Sequence, residues 1–235
     1  MLSTNKATFF RMSVFSLLLL LSINASAGLK LDRTRIIFHQ SDSATSVSLV
    51  NSGGVYLVQG AITALNDSQT SKDFIVIPPV FRSDSNSLNT IRILRQKQSF
   101  PLDRESGYWF RINAIPAGVR PKDGGGVGSV AISLGMSIKM FWRPDDLSLS
   151  PEESYSRLEF KQQGDGVSVY NPTPYYQSFS YLEVGESKIN LNGNPSMIEP
   201  FGSLYYKVSA GNRSASWSLI DDYGSTTPVF HADIK

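Results

Sequence analysis

Short runs of apolar or alternating residues, each bounded by turn-forming residues, recur along the chain after residue 28. Clusters of Asn, Asp, Ser and Gly separate the runs, for example at 51–54, 83–86 and 164–166. Such clusters are typical of turns between β-strands, and no long segment has the period of a helix. About thirteen short strands favour an all-β fold of two immunoglobulin-like β-sandwiches over a single one. The runs are residues 29–38, 47–50, 56–62, 74–77, 91–94, 108–112, 130–142, 158–160, 167–170, 178–184, 204–208, 217–220 and 229–232.

The composition excludes several classes of protein. The chain has no cysteine and two histidines, His39 and His231, which lie far apart in the sequence. Disulfides, zinc ribbons, thiolate nucleophiles and iron–sulfur clusters are therefore excluded. The formal net charge of +2 is not the clustered basic excess of a nucleic-acid-binding protein. We therefore expect no cofactor, no metal and no nucleic-acid partner.

Residues 1–27 have the three parts of a secretory signal peptide. Lys6 and Arg11 form a positive region, an apolar run follows at 14–23, and 25–27 reads Ala-Ser-Ala, a small-residue cleavage site. A membrane anchor is the alternative, but a membrane span needs about 20 apolar residues. We therefore expect export, without membrane insertion of the mature chain at 28–235. Removal of Lys6 and Arg11 leaves 20 basic and 20 acidic residues, so the mature chain is neutral.

A polar segment with a proline marks the predicted domain boundary. Residues 143–146 read Arg-Pro-Asp-Asp, and Pro144 lacks the backbone donor that strand pairing uses. The first domain is therefore predicted at residues 28–146 and the second at residues 147–235.

The strongest local pattern lies at residues 129–142, after a glycine-rich segment at 122–128. Apolar residues alternate with small or polar ones, so the two sets face opposite sides of a strand. The strand is longer than the usual length of about five to six residues. It is either a core strand or, at a sheet edge, a strand that pairs with another chain, because an exposed apolar edge templates pairing. We call its apolar side the apolar row, which consists of Val130, Ile132, Leu134, Met136 and Ile138.

Segments of both predicted domains carry a resemblance to a known family. Residues 31–38 read Leu-Asp-Arg-Thr-Arg-Ile-Ile-Phe, 103–116 read Asp-Arg-Glu-Ser-Gly-Tyr-Trp-Phe-Arg-Ile-Asn-Ala-Ile-Pro, and 137–144 read Ser-Ile-Lys-Met-Phe-Trp-Arg-Pro. They resemble the opening strand, the signature segment and the end of the donor strand of the periplasmic pilus-assembly chaperones. Further segments that resemble the family, in the same order, lie at 76–80, 171–176 and 220–224.

The resemblance implies two immunoglobulin-like domains with a cleft between them, and a chaperone rather than an enzyme. Such chaperones bind, fold and cap pilin subunits in the periplasm by lending them a strand, which is called donor-strand complementation. They then deliver the subunits to an outer-membrane usher. An exposed apolar row also makes a self-capping dimer plausible.

The resemblance also implies roles for single residues. Arg35 and Lys139 match two cations that hold the C-terminal carboxylate of the subunit in the cleft, a task suited to charge-assisted hydrogen bonds. The apolar row matches the donor-strand residues that fill pockets in the subunit. Glu105, Arg143 and Asp222 match an ion cluster that fixes the angle between the domains.

Three residues depart from the family's pattern. Gly107 stands where the signature usually has an aliphatic residue, and Arg111 stands where it usually has asparagine. Gly135 replaces a longer side chain within the donor strand and weakens that strand locally. These differences concern the choice of subunit.

Two other classes of protein remain as alternatives. An enzyme is one: residues 126–131 loosely resemble a dinucleotide fingerprint, but that motif needs a strand before it and a helix after it. The other is a secreted immunoglobulin-like binding or adhesive protein without chaperone activity. For that class, residues 171–176 form either an aromatic ligand platform or a turn whose tyrosines lie in a core or an interface.

Overall fold

A computed structural model of the chain describes residues 28–67, 69–96, 99–117, 132–208 and 213–235. The predicted signal peptide at 1–27 lies outside the described residues. Most of the secondary structure is β-strand, and the one helix given for the described residues is α1 (Pro151–Ser154). No helix in these ranges is long and apolar enough to span a membrane. The predicted all-β fold class is confirmed.

Two packed sheets form the first half of the chain. Its described strands are β1 (Leu29–Leu31), β2 (Arg35–His39), β3 (Ala44–Asn51), β4 (Tyr56–Ala64), β5 (Phe74–Ile77), β6 (Val80–Ser83), β7 (Ser87–Arg95), β8 (Ser106–Pro116) and β9 (Leu134–Arg143). One sheet has the order β1-β3-β7-β5, and the other has the order β2-β9-β8-β4-β6. The pairs are antiparallel except β2 with β9, which run parallel.

A second pair of sheets forms the other half. Its described strands are β10 (Glu159–Gln163), β11 (Gly166–Tyr170), β12 (Gln177–Val184), β13 (Ser187–Lys188), β14 (Met197–Ile198), β15 (Ser203–Lys207), β16 (Ser214–Leu219) and β17 (Phe230–Asp233). One sheet has the order β10-β11-β15. The other has the order β13-β12-β16-β17, with β14 paired to β12.

Each half encloses its own apolar core, which follows from the alternation of side chains along the strands. Phe38, Phe110 and Trp142 are fully buried in the first core. Trp217 and Phe160 pack against each other in the second. Because the two cores share no residue, the chain forms two sandwiches rather than one large one.

An ion cluster joins the two sandwiches. The Arg143 Nε at the end of β9 donates to Glu105 Oε1 at 2.8 Å, and its two Nη groups donate to Asp222 Oδ2 and Oδ1 at 2.6 and 2.8 Å. Glu105 is only 3% exposed, and its other oxygen accepts from the backbone N–H of Tyr176 at 2.8 Å. The structure thus brings together Glu105, Arg143 and Asp222, and the cluster connects β9 to two loops of the second sandwich.

The cluster is electrostatically coupled. Burial raises the pKa of Glu105, while the charge of Arg143 and the hydrogen bond from Tyr176 oppose that rise. Burial alone would lower the pKa of Arg143, but hydrogen bonds and charges of Asp222 and Glu105 raise it above its usual value. Arg143 is therefore a permanent cation with both of its acidic partners in place.

Close packing at the junction explains why Gly107 departs from the family's pattern. A Cβ at Gly107 would lie 2.2 Å from Leu65 Cδ1 and 2.9 Å from Tyr176 Cζ. The missing side chain leaves room for the ring of Tyr176, which also stacks on Phe141 with centroids 5.1 Å apart. Gly107 and Tyr176 therefore fit together as a pair across the junction.

Removal of the central cation should destabilise the protein strongly. In Arg143→Ala, Glu105 stays buried without its partner, so we expect the free energy of unfolding to fall by about 3–5 kcal/mol. Urea denaturation followed by fluorescence measures the change. The matched control is Arg82→Ala, which removes an exposed pair with Asp84 and should change stability by less than about 1 kcal/mol.

The double variant Glu105→Gln/Arg143→Met provides a second check. It removes both buried charges and replaces each side chain by a neutral one of similar size. It should therefore regain part of the stability lost in Arg143→Ala. Equal, small losses in Arg143→Ala and Arg82→Ala would contradict the proposed role of the cluster.

Candidate functional site

Arg35 and Lys139 lie directly opposite each other on the parallel strands β2 and β9. Opposed residues of neighbouring strands point to the same face of a sheet, and two like charges in such positions repel each other. The two predicted anchor residues are thus brought side by side. Their placement is unfavourable unless a negative group joins them.

Both side chains point into the gap between the two sandwiches. Arg35 is only 8% exposed, and its Nη1 donates to the carbonyl oxygen of Ile220 at 2.8 Å. The Nζ of Lys139 donates to Ser178 Oγ at 3.0 Å. Both acceptors belong to the second sandwich. The gap is therefore the predicted cleft, and two cations from the first sandwich line it.

The two cations are not neutralised within the part of the chain that the structure describes. The ion pairs there involve other residues, and neither Arg35 nor Lys139 has a carboxylate within 4.0 Å. Burial, and then the charge of Arg35, lower the pKa of Lys139 to about 8. Burial also lowers the pKa of Arg35, against the attraction of Asp222 and Glu105. A carboxylate between the two would relieve both effects.

Part of β9 has an open edge beside these cations. Residues 134–142 pair with β8, but only residues 139–143 also pair with β2. Residues 134–138 therefore have no described strand on their second side, and we call this stretch the open edge. Unpaired backbone donors and acceptors of this kind can take up another strand.

The residues of the apolar row differ in exposure. Ile132 is 72% exposed and Leu134 is 40% exposed, whereas Met136 and Ile138 are partly buried against the core of the first sandwich. Val130 lies outside the described residues. The row is on the same side of β9 as the core residues Met140 and Trp142. Met136 and Ile138 therefore pack against this core in the chaperone itself, before any subunit is bound. That all five fill pockets of a subunit stays a prediction.

Sequence reasoning missed the polar acceptors in the gap. Ser178 and the carbonyl of Ile220 hold the two cations, and neither residue type signals such a role.

The tyrosines of segment 171–176 were singled out in the sequence. Tyr175 donates its hydroxyl to the carbonyl of Leu149 at 2.5 Å, and Tyr176 is stacked on Phe141. These rings serve the junction rather than an exposed ligand platform.

The histidines offer little for chemistry. His231 Nδ1 lies 2.9 Å from Ser216 Oγ, but the contact is exposed, between opposed residues of β16 and β17. His39 is exposed and lies 4.0 Å from Asp145. Within the described ranges, no three His, Cys, Asp or Glu side chains are close enough to hold a metal ion.

Comparisons with known proteins identify the family. The family model of the N-terminal domain of the PapD pili and flagellar-assembly chaperones matches residues 28–148, and that of the PapD C-terminal domain matches residues 153–231. Among curated proteins, the chain is 31% identical to chaperone protein FimB/FhaD of Bordetella pertussis, over 87% of each chain. It is 29% identical to chaperone protein PsaB of Yersinia pestis, over 88% of this chain and 84% of the relative.

Solved structures show the same relationship. The E. coli chaperone DraB superposes with a TM-score of 0.77 at 31% identity, covering 88% of this chain and 96% of that one. A chain from the complex of the SafA pilin with the SafB chaperone of Salmonella enterica superposes with a TM-score of 0.76 at 28% identity, covering 87% and 95%. The chain therefore belongs to the PapD-like family of pilus-assembly chaperones, which is a family of chaperones and not of enzymes.

Proposed function

We propose that this protein is a periplasmic chaperone that binds pilin subunits in the gap between its sandwiches and along the open edge. The observation that carries the proposal is the pair of unneutralised cations, buried Arg35 and partly buried Lys139, directly beside an unpaired stretch of β9. A strand that pairs with the open edge and ends in a free C-terminal carboxylate satisfies both features at once. One of the similar solved structures is a complex of the SafB chaperone with the SafA pilin, so a pilin subunit is the partner that we propose.

The carboxylate supplies the main polar contact. Arg35 and Lys139 are held by Ile220 and Ser178 of the second sandwich, so the two cations are already positioned before a subunit arrives. Positioned donors lose little conformational entropy when the ligand binds. Removal of one cation would leave the carboxylate poorly paired in a partly buried place, which typically weakens binding by about 2–5 kcal/mol.

The open edge and the apolar row supply the remaining contacts. Backbone hydrogen bonds along residues 134–138 extend the sheet of the chaperone into the subunit. Ile132 and Leu134 are exposed, and burial of each in a subunit pocket is worth about 1.5–3 kcal/mol. The subunit thereby receives a strand and apolar side chains, and the chaperone loses an exposed edge.

The remaining assignments follow the family. We propose export by the signal peptide at 1–27, a first domain at 28–146 and a second at 147–235. Delivery of the bound subunit to an outer-membrane usher completes the role, and no cofactor or metal takes part. The exposed part of the apolar row would also allow two free copies to cap each other. A secreted adhesive protein without chaperone activity is not favoured, because the relatives are named as chaperones.

Removal of either anchor cation should abolish subunit recovery. We expect Arg35→Ala and Lys139→Ala to lose co-purification of the cognate pilin subunit from the periplasm, because each leaves the subunit carboxylate with one cation. Circular dichroism and urea denaturation check that both variants remain folded. The matched control is Lys161→Ala, an exposed lysine on β10, which should behave as wild type. Normal recovery of the subunit in both anchor variants would overturn the assignment.

Binding should also depend on pH through Lys139. In the free protein Lys139 loses its proton near pH 8, and a bound carboxylate favours the charged form and raises that pKa. Affinity should therefore be full well below pH 8 and fall as pH rises through this value, by at most about tenfold per pH unit. Calorimetry with a peptide that ends in a free carboxylate measures the dependence.

Lys139→Arg tests the origin of this dependence. Arginine stays charged throughout the range, so the fall in affinity above pH 8 should be lost in this variant. The same slope in Lys139→Arg and in wild type would show that another group titrates.

The apolar row is tested at its exposed end. Leu134→Asp should reduce subunit affinity by at least about tenfold, because an apolar contact is lost and a charge must be desolvated. Stability should change little, since Leu134 is outside the buried core. Leu88→Asp is the matched control, because Leu88 is an exposed leucine on β7 of the other sheet. Equal affinity of Leu134→Asp and Leu88→Asp would show that the row does not contact the subunit.

A further inference from the structure

A loop of the second sandwich lies against the start of β2. We call residues 220–225 the junction loop. The carbonyl oxygen of Ile220, its first residue, accepts a hydrogen bond from Arg35 at 2.8 Å. Gly224 is so close to Thr34 that a Cβ on the glycine would overlap with Thr34 Oγ1. The junction loop therefore contacts the first sandwich at the anchor cation of β2 and at the residue before it.

Hydrogen bonds within the junction loop fix its shape. Asp221 Oδ1 accepts from the backbone N–H groups of Tyr223 and Ser225 at 3.0 and 2.7 Å. The N–H of Gly224 donates to the carbonyl of Asp221 at 3.1 Å, and its φ of +85° is one that glycine adopts readily. These three backbone donors are thus used within the loop. A ligand that meets Tyr223 therefore meets its side chain and not its backbone N–H.

The side chain of Tyr223 projects into solvent. Tyr223 is 90% exposed, whereas the next most exposed large hydrophobic residue of the described ranges, Ile132, is 72% exposed. The preceding residue, Asp222, is bound to Arg143, and the following glycine lies against β2, so the backbone is tied to the first sandwich on both sides of the tyrosine. Tyrosine provides a large contact area with only two side-chain angles to fix, and it is enriched among residues that dominate interfaces.

The junction loop lies at the same edge of β9 as the open edge. β8 pairs with one edge of β9 along residues 134–142, and β2 pairs with the other edge along residues 139–143. The open edge is therefore the continuation of the edge that β2 occupies. A strand added there lies in line with β2 and stops before Arg35, which is where Thr34 and the junction loop meet.

The end of such a strand comes next to Tyr223. In the proposed function the subunit carboxylate is held by Arg35 and Lys139, and the junction loop holds Arg35 through Ile220. The last few residues of the subunit strand therefore lie beside the loop that displays the exposed ring. Since the N–H groups of the loop are already used, the ring is what the loop offers to these residues.

We propose that Tyr223 is a specificity-determining residue that packs its ring against an apolar side chain in the last few residues of the subunit. The inference rests on the proposed function. It adds a contribution of the second sandwich to subunit binding. It also adds a preference among subunits: those with a large apolar residue near the C-terminus bind better than those with a small one.

Synthetic peptides of about ten residues, the length of a long strand, provide the first probe. Each ends in a free carboxylate and has either Leu or Ala at one of the last three positions. Fluorescence anisotropy measures their affinities for the full chaperone. For wild type we expect one position at which Leu binds about three- to tenfold better than Ala, because the longer side chain buries more apolar surface against the ring.

Variants of Tyr223 identify the residue responsible. Tyr223→Ala should lose most of the preference for Leu, and Tyr223→Phe should keep it because the ring remains. Urea denaturation should show unchanged stability, since the ring is exposed. The matched control is Tyr170→Ala, which removes an exposed tyrosine on β11 of the same sandwich and should bind as wild type does. An equal preference for Leu in wild type and Tyr223→Ala, or no preference in wild type, would overturn the inference.

Disulfide trapping tests the position of the strand end directly. The chain has no cysteine, so Tyr223→Cys provides a single thiol in the full chaperone. Peptides carry a cysteine, activated as a mixed disulfide, at each of the last five positions in turn, and thiol–disulfide exchange joins the two chains. A disulfide needs Cα atoms about 4.4–6.8 Å apart. We expect rapid trapping at one or two positions and none with Tyr170→Cys, as measured by mass spectrometry. Equal trapping at all five positions, or none, would contradict the proposed contact.

A separate comparison tests the function on which the inference rests. Peptides with a free carboxylate should bind better than the same peptides with a C-terminal amide, in wild type and in Tyr223→Ala alike, and Arg35→Ala should remove that difference. No preference for the free carboxylate would contradict the anchor itself. A preference for the carboxylate without a preference for Leu would overturn only the role of Tyr223.

Discussion

The alternation of side chains along β9 is the constraint on which the rest of the structure depends. Met140 and Trp142 point inward and complete the first core, while Lys139 and Arg143 point outward and line the junction with the second sandwich. A shift of this strand by one residue would exchange the two sets, burying the cations in the core and exposing the tryptophan. Packing of the first core therefore fixes the position of the functional charges.

The outward cations of β9 differ in what surrounds them. Arg143 has two acidic partners and an aromatic ring, with its guanidinium 5.0 Å from the ring of Tyr175, so its charge is used to join the sandwiches. Among the described residues Lys139 has only a hydroxyl partner, although it lies four residues away on the same strand. A buried charge without a counter-ion is costly, and such groups concentrate at binding sites for that reason. The contrast separates a cation that pairs within the fold, Arg143, from the cation that we propose holds a ligand, Lys139.

Much of the fold was predictable from the sequence, because strand alternation and turn residues are local signals. The all-β class and the opposite facing of Lys139 and the apolar row follow from such signals. The burial of Met136 and Ile138 was not predictable, since it depends on how far the core of the first sandwich extends along β9. Ser178 and the carbonyl of Ile220 were missed because contacts across the junction depend on how two separately folded sandwiches meet. The anchor roles of Arg35 and Lys139 were predicted only from the family resemblance, because lone charged residues in strands are usually exposed to solvent.

The choice of one arginine and one lysine for the paired cations has a physical consequence. Arginine keeps its proton under nearly all conditions, whereas buried lysine changes its pKa readily. Burial, and then the charge of Arg35, lower the pKa of Lys139 to about 8. As the pH rises through this value the free protein can lose the Lys139 proton, and a bound carboxylate favours its return. Two arginines would bind the same anion but would both stay charged at every pH, so the mixed pair lessens the repulsion in the free protein above about pH 8 and keeps the preference for a carboxylate below it.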